Sequence, residues 1–161
     1  MQQEPGGTNL KETLRPYQPT DEEAVVGVWH RAGLAAYPFL PTWQSFTLKQ
    51  ARIVFRDVIS RHNDLWVAAQ NERVVAYLAM KDCYIDRLYV DPPEQRKGWG
   101  SRFLALAKTL CPNGLELYTH QENLGARAFY ERHGFVPVEF GISPPPESAP
   151  DVKYRWGPEG H

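Results

Sequence analysis

The stretch from Ile85 to Leu104, IDRLYVDPPEQRKGWGSRFL, decides the fold. It opens as the apolar end of a strand, CYIDRLYV, and Pro92 and Pro93 break that strand because proline supplies no ladder donor. Beyond the break the apolar period becomes helical, with Phe103, Leu106, Ala107 and Leu110 on one face until Pro112, Asn113 and Gly114 end the helix. A basic loop containing Gly98 and Gly100 joins strand to helix. The first N–H groups of a helix lack internal partners and carry the positive end of the peptide dipoles, so such a junction binds phosphate. One exposed dipole interaction contributes only about 0.3–1 kcal/mol, so several N–H groups must converge. The two glycines let the backbone approach a pyrophosphate closely, and Arg96 and Lys97 place charge beside it. The spacing is neither GxGxxG nor that of a P-loop, which excludes both of those phosphate-binding designs; two glycines near a helix start also suit an ordinary turn.

Upstream, Thr20 and Glu23 have capping-box spacing, and Val25, Val28, Trp29 and Ala32 recur at helical intervals, which predicts a first helix through the twenties. A second amphipathic helix follows PTWQSFT, with Leu48, Ala51, Phe55, Val58 and Ile59 on its apolar face. LWVAA and RVVAYLAM are short apolar runs parted by Gln70, Asn71 and Glu72, and with CYIDRLYV they predict an antiparallel meander. Downstream come a strand at LELYT, a helix burying Ala126, Phe129, Tyr130 and His133 that stops at Gly134, and closing strands at FVPVEF and VKYRW. Between those two strands GISPPPESAPD is too rich in proline for a regular element and reads as a surface loop.

A chain of 161 residues with 42% apolar and 23% charged side chains suits one globular domain, taken as 10–157, between a flexible leader at 1–9 and a tail at 158–161. The opening residues MQQEPGGTNLKET lack the pattern of a secretory signal and read as loose, and no apolar run reaches bilayer length. A formal net charge of −1 gives no electrostatic reason to seek nucleic acid or an anionic membrane. Cys83 and Cys111 stand far apart with no metal-ligand spacing, so neither a disulfide framework, nor zinc, nor any other metal is expected, and a cytoplasmic setting follows.

Gln95-Arg96-Lys97-Gly98-Trp99-Gly100 resembles the Q/R-x-x-G-x-G/A signature of the GCN5-related N-acetyltransferase (GNAT) family. Leu88-Tyr89-Val90-Asp91-Pro92, directly before it, is similar to the family's acyl-CoA strand. The run from Asn123 through Ala126, Arg127, Phe129 and Tyr130 to Gly134-Phe135 is similar to its second motif. The resemblance is firm from Leu65 to Val138. It implies an α/β (α+β) fold: a mixed, mostly antiparallel twisted sheet of about six to seven strands, helices on both faces, and two central parallel strands that splay to admit the cofactor. It also implies acetyl-CoA (coenzyme A) as co-substrate, with Leu88, Tyr89 and Val90 along the thioester arm. Gln95, Arg96, Lys97, Gly98, Trp99, Gly100 and Ser101 would hold the pyrophosphate, and Asn123, Ala126 and Tyr130 would meet the pantetheine.

Acyl transfer from a thioester to an amine needs alignment, a neutral amine and a proton for the leaving thiolate; alignment alone contributes on the order of 7–11 kcal/mol. Tyr130 matches the family's second-motif tyrosine, whose phenol can protonate a thiolate, although its helix face also suits packing. Asn123 suits a pantetheine contact and a helix cap equally. By strand alternation Tyr84 and Asp86 share the face of Leu88 ahead of any bulge, which places Asp86 as base and both residues near substrate; a solvated carboxylate or a partner for Arg87 is the plain alternative. His120 is a second substrate-binding candidate, since imidazole titrates near neutrality, against the plain reading of a surface residue. Tyr37, Phe39 and Trp43 either line a pocket or cover the sheet. Two functions follow: an N-acetyltransferase acting on a small-molecule or peptide amine, or a non-catalytic acyl-CoA-binding regulatory module. Homodimerisation is compatible with the resemblance.

Overall fold

The computed structural model describes residues 11–158, so the expected leader at 1–9 and the last residues of the expected tail lie outside the described residues. Seven strands form one sheet: β1 (Glu12–Pro16), β2 (Asp64–Gln70), β3 (Arg73–Lys81), β4 (Tyr84–Val90), β5 (Leu115–His120), β6 (Val136–Ile142) and β7 (Pro150–Trp156). Their order is β1-β2-β3-β4-β5-β7-β6, and every neighbouring pair is antiparallel except β4 with β5. The meander forms where the apolar runs predict it. Asn71 and Glu72 both take positive φ, 54° and 71°, as a two-residue hairpin turn requires.

β1 is a departure from the sequence reading, which left MQQEPGGTNLKET loose. Glu12–Pro16 pairs with Gln70–Trp66 of β2 as an edge strand. Five residues with no apolar alternation and a terminal proline carry little strand signal; the pairing comes from the backbone alone.

The helices divide between the two faces of the sheet. On one, α1 (Glu22–Ala36) and α3 (Leu48–Val54) pack Val25, Val28, Trp29 and Ala51 against Val67, Tyr77 and Ala79. Between them lies the short α2 (Pro41–Gln44), and a π-helical turn at Phe55–Ile59 carries α3 into α4 (Ser60–His62). On the other face, α5 (Trp99–Leu110) and α6 (Leu124–Arg132) bring Phe103, Leu104 and Tyr130 onto Leu78, Ile85 and Leu117. Full burial of each large apolar side chain contributes about 1.5–3 kcal/mol, so both layers are held chiefly by this contact.

Two local expectations differ in detail. The Thr20/Glu23 capping box does not form; the Asp21 carboxylate accepts from the Gln18 N–H at 2.8 Å and from Arg15 at 2.8 and 2.9 Å, and ahead of α3 a capping box joins Thr47 and Gln50. On the second helix Ala51, Phe55 and Ile59 are buried while Leu48 and Val58 are exposed, because the wider π turn carries Val58 off the stripe.

The cysteines are a correction. Cys83 and Cys111 form a disulfide with a Cα–Cα distance of 5.8 Å, although 28 residues separate them. Strand β4 runs out and α5 returns beneath it, so the residue before β4 meets the residue after α5. Closing a loop of that length contributes about 3–4 kcal/mol in the chain-entropy view. Cysteine usage therefore no longer speaks for a reducing compartment. Among the described residues no helix is long and apolar enough to cross a membrane, and no group of three or more His, Cys, Asp and Glu is arranged to hold a metal.

Candidate active site

The parallel pair at the centre of the sheet is brief. β4 and β5 pair only at Tyr84 with Glu116 and Ile85 with Leu117, and then they part. Beyond that point the β5-facing edge of β4 has no strand beside it. The Asp91 N–H donates to the Val75 carbonyl at 2.8 Å. Successive residues of a strand aim their N–H and C=O groups to opposite sides, so Val90 and Leu88 direct theirs into the gap, and Tyr89 directs its own toward β3. The side-chain amide of Gln95 donates to the Val90 carbonyl at 3.1 Å, fastening the following loop to this edge.

That loop is clamped from below. Buried Asp91 receives Arg31 in a two-pronged contact of 2.9 and 3.0 Å. Buried Glu94 accepts from Arg73 at 2.7 Å and from Lys97 at 3.3 Å, and the Arg73 bond foremost holds its carboxyl below the usual range. Gly98, the N-cap of α5, sits at φ 93° with open space where a Cβ would stand. The first helical bond runs from the Arg102 N–H to the Gly98 carbonyl at 3.1 Å, so the N–H groups of Trp99, Gly100 and Ser101 face out of the helix end with no partner within it.

The side chains of this loop have partners of their own. The Lys97 ammonium rests on Glu94, which leaves Arg96 as the loop cation without a carboxylate partner among the described residues. The Trp99 side chain is buried in the core beneath Arg102, so only its backbone faces outward. Gly100 is small for packing: a Cβ there would stand 2.9 Å from Phe129 of α6. The Ser101 hydroxyl bonds the His133 ring at 2.9 Å, tying the start of α5 to the end of α6.

On the α6 side, Asn123 is the cap. Its Oδ1 accepts from the Ala126 N–H at 3.1 Å, which occupies that amide in holding the helix start. Tyr130 is buried between Phe129, Phe135 and Tyr154, and burial, with Tyr89 nearby, pushes its phenol well above the ordinary tyrosine value. A phenol so shifted is protonated at neutral pH and able to donate. The Tyr37 hydroxyl lies close to Tyr89 and Asn123, and burial raises it as well. Tyrosines 37, 89 and 130 thus converge where β4 and β5 separate.

Beside this point opens a cleft of about 830 Å³ between the α1/α2 side, the ends of β4 and β5, and the 143–149 loop. Tyr84, Asp86, Arg87, Tyr89, Tyr118 and His120 line it, with the Pro144–Glu147 segment as one wall. A bulge decides which β4 side chains enter. β3 pairs Ala79 with Arg87 and Met80 with Ile85, leaving Asp86 as the extra residue. Ile85, Leu88 and Val90 therefore face α5 while Tyr84, Asp86, Arg87 and Tyr89 face the cleft. This corrects the alternation argument: Asp86 and Tyr84 do not share the face of Leu88, because the bulge reverses the strand between them.

Asp86 accepts from the Asn63 side-chain amide at 3.0 Å and lies 3.6 Å from the Arg87 Nε. Burial, helped by Asp86, pushes the Tyr84 phenol up to about 12. His120 is mostly enclosed, with its Nε2 3.3 Å from Glu147 and its ring edge-on to Tyr37. That bond holds the Glu147 carboxyl below its ordinary value. Sequence reasoning passed over Arg87, Tyr118 and Glu147 and saw Tyr89 only as backbone. The aromatic alternation of β4 was visible, but the bulge that turns Arg87 and Tyr89 inward is not written in residue type. A second cavity of about 660 Å³ lies at the other end of β4 and β5, around Cys83, Asn113 and Trp156, and shares Tyr84 with the cleft.

With the geometry in place, the comparisons are specific. The family model described as "Acetyltransferase (GNAT) domain" matches residues 61–137. The uncharacterised N-acetyltransferase YafP of Escherichia coli K12 is 30% identical over 128 residues, spanning 78% of this chain and 82% of YafP. Among solved structures, apo YjaB of Escherichia coli superimposes with a TM-score of 0.76 at 20% identity, covering 91% of this chain and 97% of that one. The PaiA N-acetyltransferase of Thermoplasma acidophilum, solved in complex with coenzyme A, superimposes at 0.68 and 16% identity, covering 91% and 99%.

Proposed function

Because this chain belongs to the GNAT family of N-acetyltransferases, whose acyl donor is acetyl-CoA, we propose that it passes the acetyl group directly to a primary amine of a small molecule or peptide held in the aromatic cleft, with both reactants bound together. The observation that carries this reading is the parting of β4 from β5 after two residue pairs, which leaves an open strand edge leading from the N-terminus of α5 to the cleft. Acetyl-CoA supplies the thioester. The chain's own residues do the rest.

The N–H groups of Trp99, Gly100 and Ser101 hold the pyrophosphate with Arg96 beside them, and the Leu88 and Val90 edge groups align the thioester arm as an added strand would be aligned. Tyr130, protonated and buried beside Tyr89, gives its phenolic proton to the departing sulfur. The incoming ammonium must lose a proton, which at pH 7 costs roughly 4.6 kcal/mol for a lysine-like amine of pKa about 10.4. Asp86 takes that proton directly or through water, held in place by Asn63. His120, with Glu147 behind it, and Tyr84 border the amine. Domain limits of 10–157 belong to the same proposal.

Incubation with acetyl-CoA and a panel of amines, followed as free thiol release, tests the reading alongside calorimetry with CoA. Saturable CoA binding together with amine-dependent thiol release supports it. Saturable CoA binding with no thiol release on any amine returns the chain to a binding module.

A further inference from the structure

Among the described residues Arg87 is a charged group without a hydrogen bond. Its Nε is sealed from solvent and has no partner among the described residues. Asp86, 3.6 Å away, forms an ion pair with it that is too long for a hydrogen bond, and accepts instead from Asn63. The guanidinium stacks over Trp29, 5.6 Å from the ring centroid, in a position that offers no acceptor. Neither terminal nitrogen has a hydrogen bond among the described residues, and neither is among the sealed, unpartnered atoms, so the fork is the accessible part of a side chain that retains 31% exposure. That fork opens into the cleft, where Arg87 is the sole Lys or Arg among the lining residues. It immediately precedes Leu88, whose backbone edge faces the gap. The carboxylates of the lining are Asp86, Glu139, Glu147 and Asp151, of which Asp86 and Glu147 already have partners in Asn63 and His120.

A solvent-facing guanidinium fork that no protein acceptor occupies is available to an anion, and its planar geometry matches a carboxylate in two parallel bonds. We propose, building on the acetyltransferase reading above, that the acceptor is an amino-acid-like amine: its carboxylate docks on the Arg87 fork, its amine lies toward Asp86, and its apolar or aromatic body lies against Tyr84, Trp43 and Tyr118. Arg87 is then the residue that sets acceptor specificity. A simple monoamine leaves the fork unpaired, and a polyamine brings a second positive charge to it.

Matched acceptor pairs differing by a carboxylate test this: L-phenylalanine against phenethylamine, L-lysine against 1,5-diaminopentane, with spermidine as a polycation, all read as thiol release with acetyl-CoA. The expected result is a kcat/KM roughly tenfold or more higher for the carboxylated member, in line with one charge-assisted pair. Arg87→Gln should raise KM for that member and shrink the ratio toward one, with calorimetric CoA binding showing that the variant is folded. A wild-type ratio at or below one, a preference for spermidine, or an unchanged ratio in Arg87→Gln overturns the inference while the acetyltransferase reading stands. Thiol release on none of these or any other amine overturns both.

Discussion

Oε1 of Glu147 lies 3.3 Å from Nε2 of His120, so the proline-rich loop is tied to the end of β5 at the point where the cleft opens. Glu147→Ala removes the tie and frees one cleft wall. Its expected effect is a higher KM for the amine acceptor with an unchanged CoA dissociation constant; steady-state kinetics beside calorimetry separates the two. Equal weakening of both ligands would remove the loop from the acceptor site.

Tyr130→Phe keeps the ring packing on Phe135 and Tyr154 and deletes the proton. Turnover should fall by roughly 10²-fold or more while CoA affinity holds, as for the loss of a general acid. Unchanged kcat would leave the phenol a packing role.

The two loop glycines should fail differently. At Gly98 there is room for a side chain but φ is 93°, so Gly98→Asp combines backbone strain with a negative charge at the proposed pyrophosphate site, and CoA binding should weaken. At Gly100 the obstacle is Phe129, 2.9 Å from the added carbon, so Gly100→Ala costs about 1–3 kcal/mol of stability through overpacking. Calorimetry with CoA and thermal melts of both variants distinguish the two losses; a normal melting temperature for Gly100→Ala would contradict the packing argument.

Asp21 carries an acid-sensitive contribution. The Arg15 hydrogen bonds, then the Gln18 N–H, hold its carboxyl below the ordinary value. A depressed folded value means the stabilisation is fully present above the unfolded pKa of about 3.9 and disappears as pH falls through the folded one. Asp21→Asn should lower stability at pH 7 by about 1–3 kcal/mol and flatten the stability profile below about pH 4. Parallel acid limbs in denaturant titrations of the two proteins would count against it.

Residue order by itself determined most of the architecture here. The switch from alternating to helical apolar period, the double proline after Val90, and the glycines of the QRKGWG loop located the central strand, the helix that follows it and the hairpins around them, because local periodicity and backbone restriction are properties of adjacent residues. What the tertiary structure alone decided are the relations between distant residues. The Cys83–Cys111 bond depends on a strand and a helix running back along each other, and the edge strand at Glu12–Pro16 exists only because β2 offers its backbone. The facing of Arg87 and Tyr89 into the cleft beside Asp86 rests on one extra residue in the β3–β4 ladder. A bulge leaves composition and spacing untouched yet reverses the side of the sheet each later side chain occupies, so a chain whose fold is legible kept the residues that line its cleft out of view until the strands were paired.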